Sequence, residues 1–345
     1  MKERFSFPAY PAGWFQVAYS DELAPGAVLP LEYFGEDLVL FRTEGGKAQA
    51  LDAFCPHLGA HLGHGGTVAG ESVRCPFHAW CFDGGGKCTE VPYAKKIPPK
   101  ASIRPWHVSE QNGMVYVWYH ALGEPPSWQI PALPEYGDAT WTTYEKRRWK
   151  IRTRAQEMAE NSVDSAHFLY VHRTQNHPVA NATVNGQHFH MKSTTVMKTP
   201  AGKVDGQVEV NSYGFGFTAT RFTGLVETLL ISSVTSIDPD YVDVRFTFTV
   251  KKHAVEGVTS NVGAAFIREV SRQLEQDIVI WEHKKYIERP VLCDGDGPIG
   301  LFRKWVRQFY PQLPQLPEAQ LPEAQLPEAQ VPNGQDDATQ EEVSA

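Results

Sequence analysis

Two short clusters of soft metal ligands constrain this chain more than any other feature: Cys55-Pro56-His57 and, after 17 intervening residues, Cys75-Pro76-Phe77-His78. Two thiols and two imidazoles in paired short spacings can clamp a metal centre from two loops, so the flanking chain has to fold as a scaffold that brings those loops together. One tetrahedral zinc accepts such a set. So does a binuclear iron–sulfur cluster in which two Cys hold one iron and two His the other.

The loop sequences favour the cluster. A proline follows each first cysteine, and each loop is glycine-rich downstream (Gly59, Gly63, Gly65, Gly66; Gly84, Gly85, Gly86). Such loops let backbone N–H groups approach cluster sulfurs, which helps set the redox potential. The stretches CPHLGAHLG and CPFHAW resemble the Rieske signature of ring-hydroxylating oxygenases, with one departure: Ala79 stands where that family usually has Gly. Cys81 and Cys88 lie outside the ligand pattern and are expected as free thiols, a mutual disulfide being the alternative.

The rest of the chain accommodates two domains. Only five cysteines occur, an odd number, which argues against a disulfide framework and for a reducing compartment, so a cytoplasmic protein is expected. No run of about 18 apolar residues is found, so no transmembrane segment is expected. The net charge of −8 is concentrated in 313–345, which carries seven acidic and no basic residues and repeats Leu-Pro-Glu-Ala-Gln three times. Proline every fifth residue blocks helix and ladder pairing, so this tail is expected to be disordered. The near-neutral body lacks the concentrated basic face of a nucleic-acid binder.

Gly and Pro clusters separate short apolar runs such as Asp37–Phe41 and Met114–Trp118, predicting a β domain over 1–125. A Pro-rich connection at 123–134 marks the expected boundary to a second domain, 126–312. There a helical stretch around 151–170 precedes a β-rich block over roughly 183–250 and a helix over about 262–287. Alternation is clearest along Val242–Val250. The predicted class is therefore α+β.

The second domain carries a second ligand set: Asn161, Asp164, His167 and His172 in one short stretch. Asn161, Asp164 and His167 fan over one side of a helix, whereas His167 and His172 lie about 140° apart on a straight one. The helix must distort or end between the two His for both to reach one metal. Two imidazoles and one carboxylate form the facial triad of non-haem Fe(II) oxygenases, which leaves positions open for O2. Asp277 is the candidate third ligand. It falls in an apolar stripe of Phe266, Val270, Leu274, Ile278 and Trp281, where an unpaired carboxylate is costly. A buried salt bridge at Asp277, or Asp164 as the ligand instead, are the alternatives.

Across about 300 residues these features resemble the α subunit of Rieske oxygenases. The resemblance implies an N-terminal Rieske [2Fe–2S] domain with Cys55, His57, Cys75 and His78 as ligands. It also implies a helix-grip catalytic domain with mononuclear Fe(II) held by His167, His172 and Asp277, assembled as a homotrimer. Asp164 would then bridge electron transfer between His167 and His78 of the neighbouring subunit. The stretches Cys88–Lys100 and Leu292–Ile299 are similar to the steroid-acting branch, 3-ketosteroid 9α-hydroxylases and cholesterol 7-desaturases. That similarity implies an apolar steroid-like substrate, O2 as co-substrate, and NAD(P)H acting through a reductase or ferredoxin. Tyr213, Phe215, Phe217 and Trp281 are the candidate substrate contacts. Lys95, Lys96, Lys100 and Arg104 form a basic cluster that could steer an acidic electron donor. The rival classes are an electron carrier without catalysis and a zinc-stabilised binding protein.

Overall fold

Eleven short strands occupy the first 120 residues of the computed structural model, which describes residues 4–173, 180–199, 202–224, 226–255, 257–293 and 295–312. They are β1 (Gly13–Tyr19), β2 (Val28–Tyr33), β3 (Glu36–Arg42), β4 (Ala48–Asp52), β5 (Thr67–Ala69), β6 (Ser72–Arg74), β7 (Cys81–Asp83), β8 (Cys88–Glu90), β9 (Pro105–Trp106), β10 (Val108–Gln111) and β11 (Met114–Tyr119). They form three small sheets, in the orders β1-β11-β10, β2-β3-β4-β9 and β5-β6-β7-β8. The last two meet in a dry core of Val39, Phe41, Leu51, Val73 and Phe82, and Cys55 and Cys75 lie at its rim.

The second half is built on one seven-stranded antiparallel sheet of β12 (Glu145–Ile151), β13 (Ala180–Asn185), β14 (His188–Thr199), β15 (Gly202–Tyr213), β16 (Phe217–Thr223), β17 (Thr228–Ser236) and β18 (Val242–Val250). The spatial order is β12-β18-β17-β16-β15-β14-β13, so all but one connection joins neighbours. Four helices accompany it: α1 (Ala155–Asn161), α2 (Ala166–Tyr170), α3 (Ala264–His283) and α4 (Ile299–Val306). Among the described residues no helix is long and apolar enough to cross a membrane. The repeat tail expected to be disordered lies outside the described residues.

Two expectations change. The single helix around 151–170 is two helices, because the chain breaks over Ser162–Ser165 and starts again at Ala166. The buried stripe of α3 is Ile267, Ser271, Leu274, Asp277 and Trp281; Phe266, Val270 and Ile278 flank it half-buried. In β18, Asp243, Arg245, Thr247 and Thr249 are as buried as the residues alternating with them. Both faces of the sheet are covered at β17 and β18. Thr247 bonds the Tyr19 hydroxyl at 2.9 Å, and the Tyr33 hydroxyl donates to Asp243 at 2.6 Å, so the polar face of β18 is the seat of the N-terminal half.

The Pro-rich connection belongs to that seat. Trp128, Ile130 and Leu133 are buried with Trp14, Tyr116, Phe217 and Leu229, and the Trp14 indole donates to the Trp128 carbonyl at 2.7 Å. The described residues accordingly form one compact unit.

Candidate metal centres

The two ligand loops are near copies of each other. Cys55 N–H donates to Ala60 O (2.9 Å) and Gly59 N–H to Cys55 O (2.9 Å); Cys75 N–H donates to Trp80 O (2.8 Å) and Ala79 N–H to Cys75 O (3.1 Å). Gly59 and Ala79 therefore occupy equivalent turn positions, both left-handed, at φ 76° and 58°. These turns bring His57 and His78 to a ring separation of 4.6 Å, and His57 stacks on Trp80 at 4.7 Å. Both Nδ1 atoms are buried with no hydrogen-bond partner. A buried polar atom without a partner is rare and costly, and two of them facing one space point to an occupant. Burial pushes the Cys55 thiol up to about 11, with the adjacent Cys75 adding to the shift. Thiolates form there only beside a compensating cation. No disulfide forms; Cys81 and Cys88 are free thiols.

The second centre gathers residues from three places. Asn161 ends α1, His167 lies in α2, His172 follows the end of α2, and Asp277 comes from α3. The expected termination between the two His is present, since α2 stops at Tyr170. The unexpected break at 162–165 is held open from outside. At Gly297 φ is +73°, and a Cβ there would lie 2.3 Å from the Val163 carbonyl oxygen. Only glycine fits such a close approach. Arg303 of α4 makes a bidentate pair with Glu160 (2.6 and 2.7 Å) and so fixes α1.

The ligand atoms of His167, His172 and Asp277 lie within 4.8 Å of one another, all three buried. Among the described residues no other three Cys, His, Asp or Glu side chains converge so closely. Hydrogen bonds orient both imidazoles of the second centre. His167 Nδ1 bonds the backbone carbonyl of Asp164 at 2.6 Å, and His172 Nδ1 bonds Oε1 of Gln276 at 3.1 Å. The Nε2 atoms are left facing Asn161 and Asp277: Asn161 Nδ2 lies 3.1 Å from His167 Nε2 and donates to Asp277 Oδ2 at 3.0 Å, while His172 Nε2 is 3.3 Å from Asp277 Oδ2. Burial holds His167 below the usual imidazole range. His172 sits above it, because hydrogen bonds to Asp277 and Gln276 outweigh burial.

Asp164 stands apart from this convergence. Its side chain is half-buried, its Oδ1 accepts from the N–H of Ala166 (3.1 Å) and His167 (3.4 Å), and Oδ2 is 3.9 Å from His167 Nδ1. It thus caps α2 from the far side of the His167 ring. Gln276 and Gly297 escaped sequence reasoning as individual residues. Gln276 carries no signal beyond adjacency to Asp277, and Gly297 lies inside the stretch noted for its resemblance to the steroid-acting branch.

The candidate substrate contacts lie in three places. Tyr213 and Phe217 pack with Trp14, Tyr116 and Trp128 on the face that seats the N-terminal half, because successive strand residues alternate faces. Phe215, in the turn after β15, packs on Phe309 and Trp305. Trp281 is buried in the main core one turn beyond Asp277.

Comparison with known proteins covers both halves of the chain. Residues 13–103 match the Rieske [2Fe-2S] domain, and residues 117–310 match the 3-ketosteroid 9alpha-hydroxylase C-terminal domain. The chain is 31% identical to a Rhodococcus rhodochrous 3-ketosteroid-9-alpha-monooxygenase oxygenase component, covering 90% of this chain and 83% of that protein. It is 33% identical to the cholesterol 7-desaturase of Bombyx mori, covering 88% and 70%. In fold it is similar to dicamba monooxygenase bound to dicamba (TM-score 0.70, 18% identity, 86% and 96% covered). It is also similar to Pseudomonas putida NdmA with caffeine (TM-score 0.71, 20% identity, 85% and 89% covered). The Rieske domain implies a [2Fe–2S] cluster, and the buried, unpartnered Nδ1 atoms of His57 and His78 beside two thiols fit it. On these matches the chain belongs to the Rieske oxygenase family, with the C-terminal domain of the 3-ketosteroid 9α-hydroxylases.

Proposed function

We propose that the chain is the oxygenase component of a Rieske-type monooxygenase acting on a neutral, bulky, steroid-like substrate by 3-ketosteroid 9α-hydroxylase-like hydroxylation. Reducing equivalents come from NAD(P)H through a separate reductase or ferredoxin. The observation that carries the substrate class is the sheet face turned towards α3. Strand register puts on it Phe189, Met191 and Ser193 of β14, Val208, Val210 and Ser212 of β15, and the even-numbered residues of β16, β17 and β18. Every one of these is Phe, Met, Leu, Val, Ser or Thr; the edge strand β12 adds Glu145 and Arg147, which are half-exposed and pair with each other. The ring of Phe266 on α3 meets Phe222 of this face at 5.0 Å. An aromatic carboxylate requires a buried cation, whereas a fused-ring hydrocarbon requires apolar walls and a few hydroxyls. Arg221, the only basic residue in 205–235, faces the other way and pairs with buried Glu135 at 2.6 Å.

In this reading Cys55, His57, Cys75 and His78 hold the cluster, and His167, His172 and Asp277 hold one Fe(II). When bound, the cluster supplies single electrons and the Fe(II) supplies O2 activation. The chain's own work is to orient the imidazoles, keep water from the apolar face and hold the substrate against it. Asp164, half-buried behind His167, is the bridging residue of a homotrimer in which a neighbour's cluster loop meets this face. Exposed apolar residues at both places support that assembly: Leu58 and Phe77 on the cluster loops are 65% and 61% exposed, and Tyr170 and Val279 beside the second centre 78% and 65%. Lys95, Lys96 and Lys100 stay exposed as a donor-facing cluster, while Arg104 is taken up by Glu36 and Asp52. A second reading, sterol C7(8)-desaturation, is favoured by the comparable similarity to cholesterol 7-desaturases. O2 uptake coupled to product, measured with a surrogate reductase on 3-ketosteroids, cholesterol and benzoates, tests the proposal. Turnover of 3-ketosteroids is expected; turnover of benzoates alone would refute the substrate class.

A further inference from the structure

The two imidazoles of the second centre are oriented by different means. His167 bonds a backbone carbonyl, that of Asp164, which no substitution of the side chain removes. His172 depends on a side chain. Its ring, 2% exposed, lies across one turn of α3, with Nδ1 3.1 Å from Gln276 Oε1 and Nε2 3.3 Å from Asp277 Oδ2. Adjacent residues of one helix thus address the two nitrogens of one ring.

We propose that Gln276 is a positioning residue for the mononuclear metal: its side-chain carbonyl accepts the Nδ1–H of His172 and so keeps the Nε2 lone pair turned towards the ion. This rests on the reading that His167, His172 and Asp277 hold that ion. A neutral imidazole carries one N–H, and whichever nitrogen carries it cannot ligate. Asp277 offers an acceptor on the Nε2 side, so the ring has a competing tautomer in which Nε2–H donates to Asp277. Gln276 decides the competition. Without its carbonyl, an Nδ1–H on this buried ring is unsatisfied, and the proton moves to Nε2 because a buried donor without a partner is costly. The ligand nitrogen is then blocked by its own proton.

The test uses the full-length chain with its cluster in place and the second ion removed by chelation. Co(II) affinity is measured by competition with a chelating dye, and the His172 tautomer is read from imidazole 15N chemical shifts. Gln276→Leu is expected to weaken Co(II) binding by about 10- to 100-fold and to move the proton to Nε2. Gln276→Glu, which keeps an acceptor at that place, is expected to restore both, and the cluster absorption should be the same in all three proteins. Wild-type affinity and tautomer in Gln276→Leu would overturn the proposal, as would a lowered melting temperature with an unchanged tautomer. His172→Ala separates the two levels: if it binds Co(II) as tightly as wild type, the assignment of the centre fails rather than the role of Gln276.

Discussion

At the scale of single residues, the two cluster loops set up a comparison inside one molecule. Gly59 and Ala79 hold the same turn position with positive φ, and only one is glycine. An L-residue in that conformation costs on the order of 1–2 kcal/mol, offset in part by the smaller unfolded-state entropy of Ala. Ala79→Gly should therefore raise stability by about 0.5–1 kcal/mol in denaturant unfolding, with the cluster spectrum unchanged; a loss of stability would show that the Ala79 methyl contributes packing. The ligand residues were legible in the sequence because their chemistry is rare and their spacing short. The packing of Tyr213 and Phe217 against the N-terminal half was not legible, because an aromatic strand residue says nothing of which face it takes. Gln276 was illegible because its role exists only through the ring of a residue 104 positions away.

Elements enter through the break between α1 and α2. The spacing of His167 and His172 required a helix end before His172, and α2 supplies one. It did not call for the earlier break, which depends on a segment more than 130 residues downstream pressing Gly297 against the Val163 carbonyl. Gly297→Ala is expected to cost more than about 1 kcal/mol through the positive φ and the clash, and to lower iron occupancy of the second centre. Unchanged metal content with full stability would show that the break persists without that contact. The alternating polar residues of β18 bury an ion-pair network that joins the two halves.

That network has a pH signature. Burial alone would raise the carboxyl of Asp243, but Arg148 at 2.7 Å, the charge of Arg245 and the Tyr33 hydroxyl outweigh it and hold it below the ordinary carboxylate range. A folded-state value below the unfolded one, about 3.9, gives stability that is fully present above that value and lost as pH falls through the folded one. Asp243→Asn leaves buried Arg245 with only the half-exposed Glu22 at 3.6 Å as a carboxylate partner and should cost about 3 kcal/mol at pH 7. The gap to wild type should narrow as pH falls below about 4, where the carboxyl of the unfolded chain takes up its proton. A gap independent of pH, followed by urea unfolding across that range, would show that the charge of Asp243 is not what joins the halves.

For the molecule as a whole, two centres lie in two halves of one compact unit, each built from its own elements. The cluster loops hang on β4–β7 and their core, and the second centre on α1, α2 and α3. The most direct test is iron and zinc content per chain, with electron paramagnetic resonance of the dithionite-reduced protein, on wild type and His167→Ala. Three irons per chain with a Rieske signal are expected in wild type. In His167→Ala one iron should be lost while the Rieske signal and absorption stay unchanged, since the cluster ligands come from the loops after β4 and β6 and His167 from α2. Zinc in place of iron with no Rieske signal, or loss of the cluster together with the second iron in His167→Ala, would contradict the account.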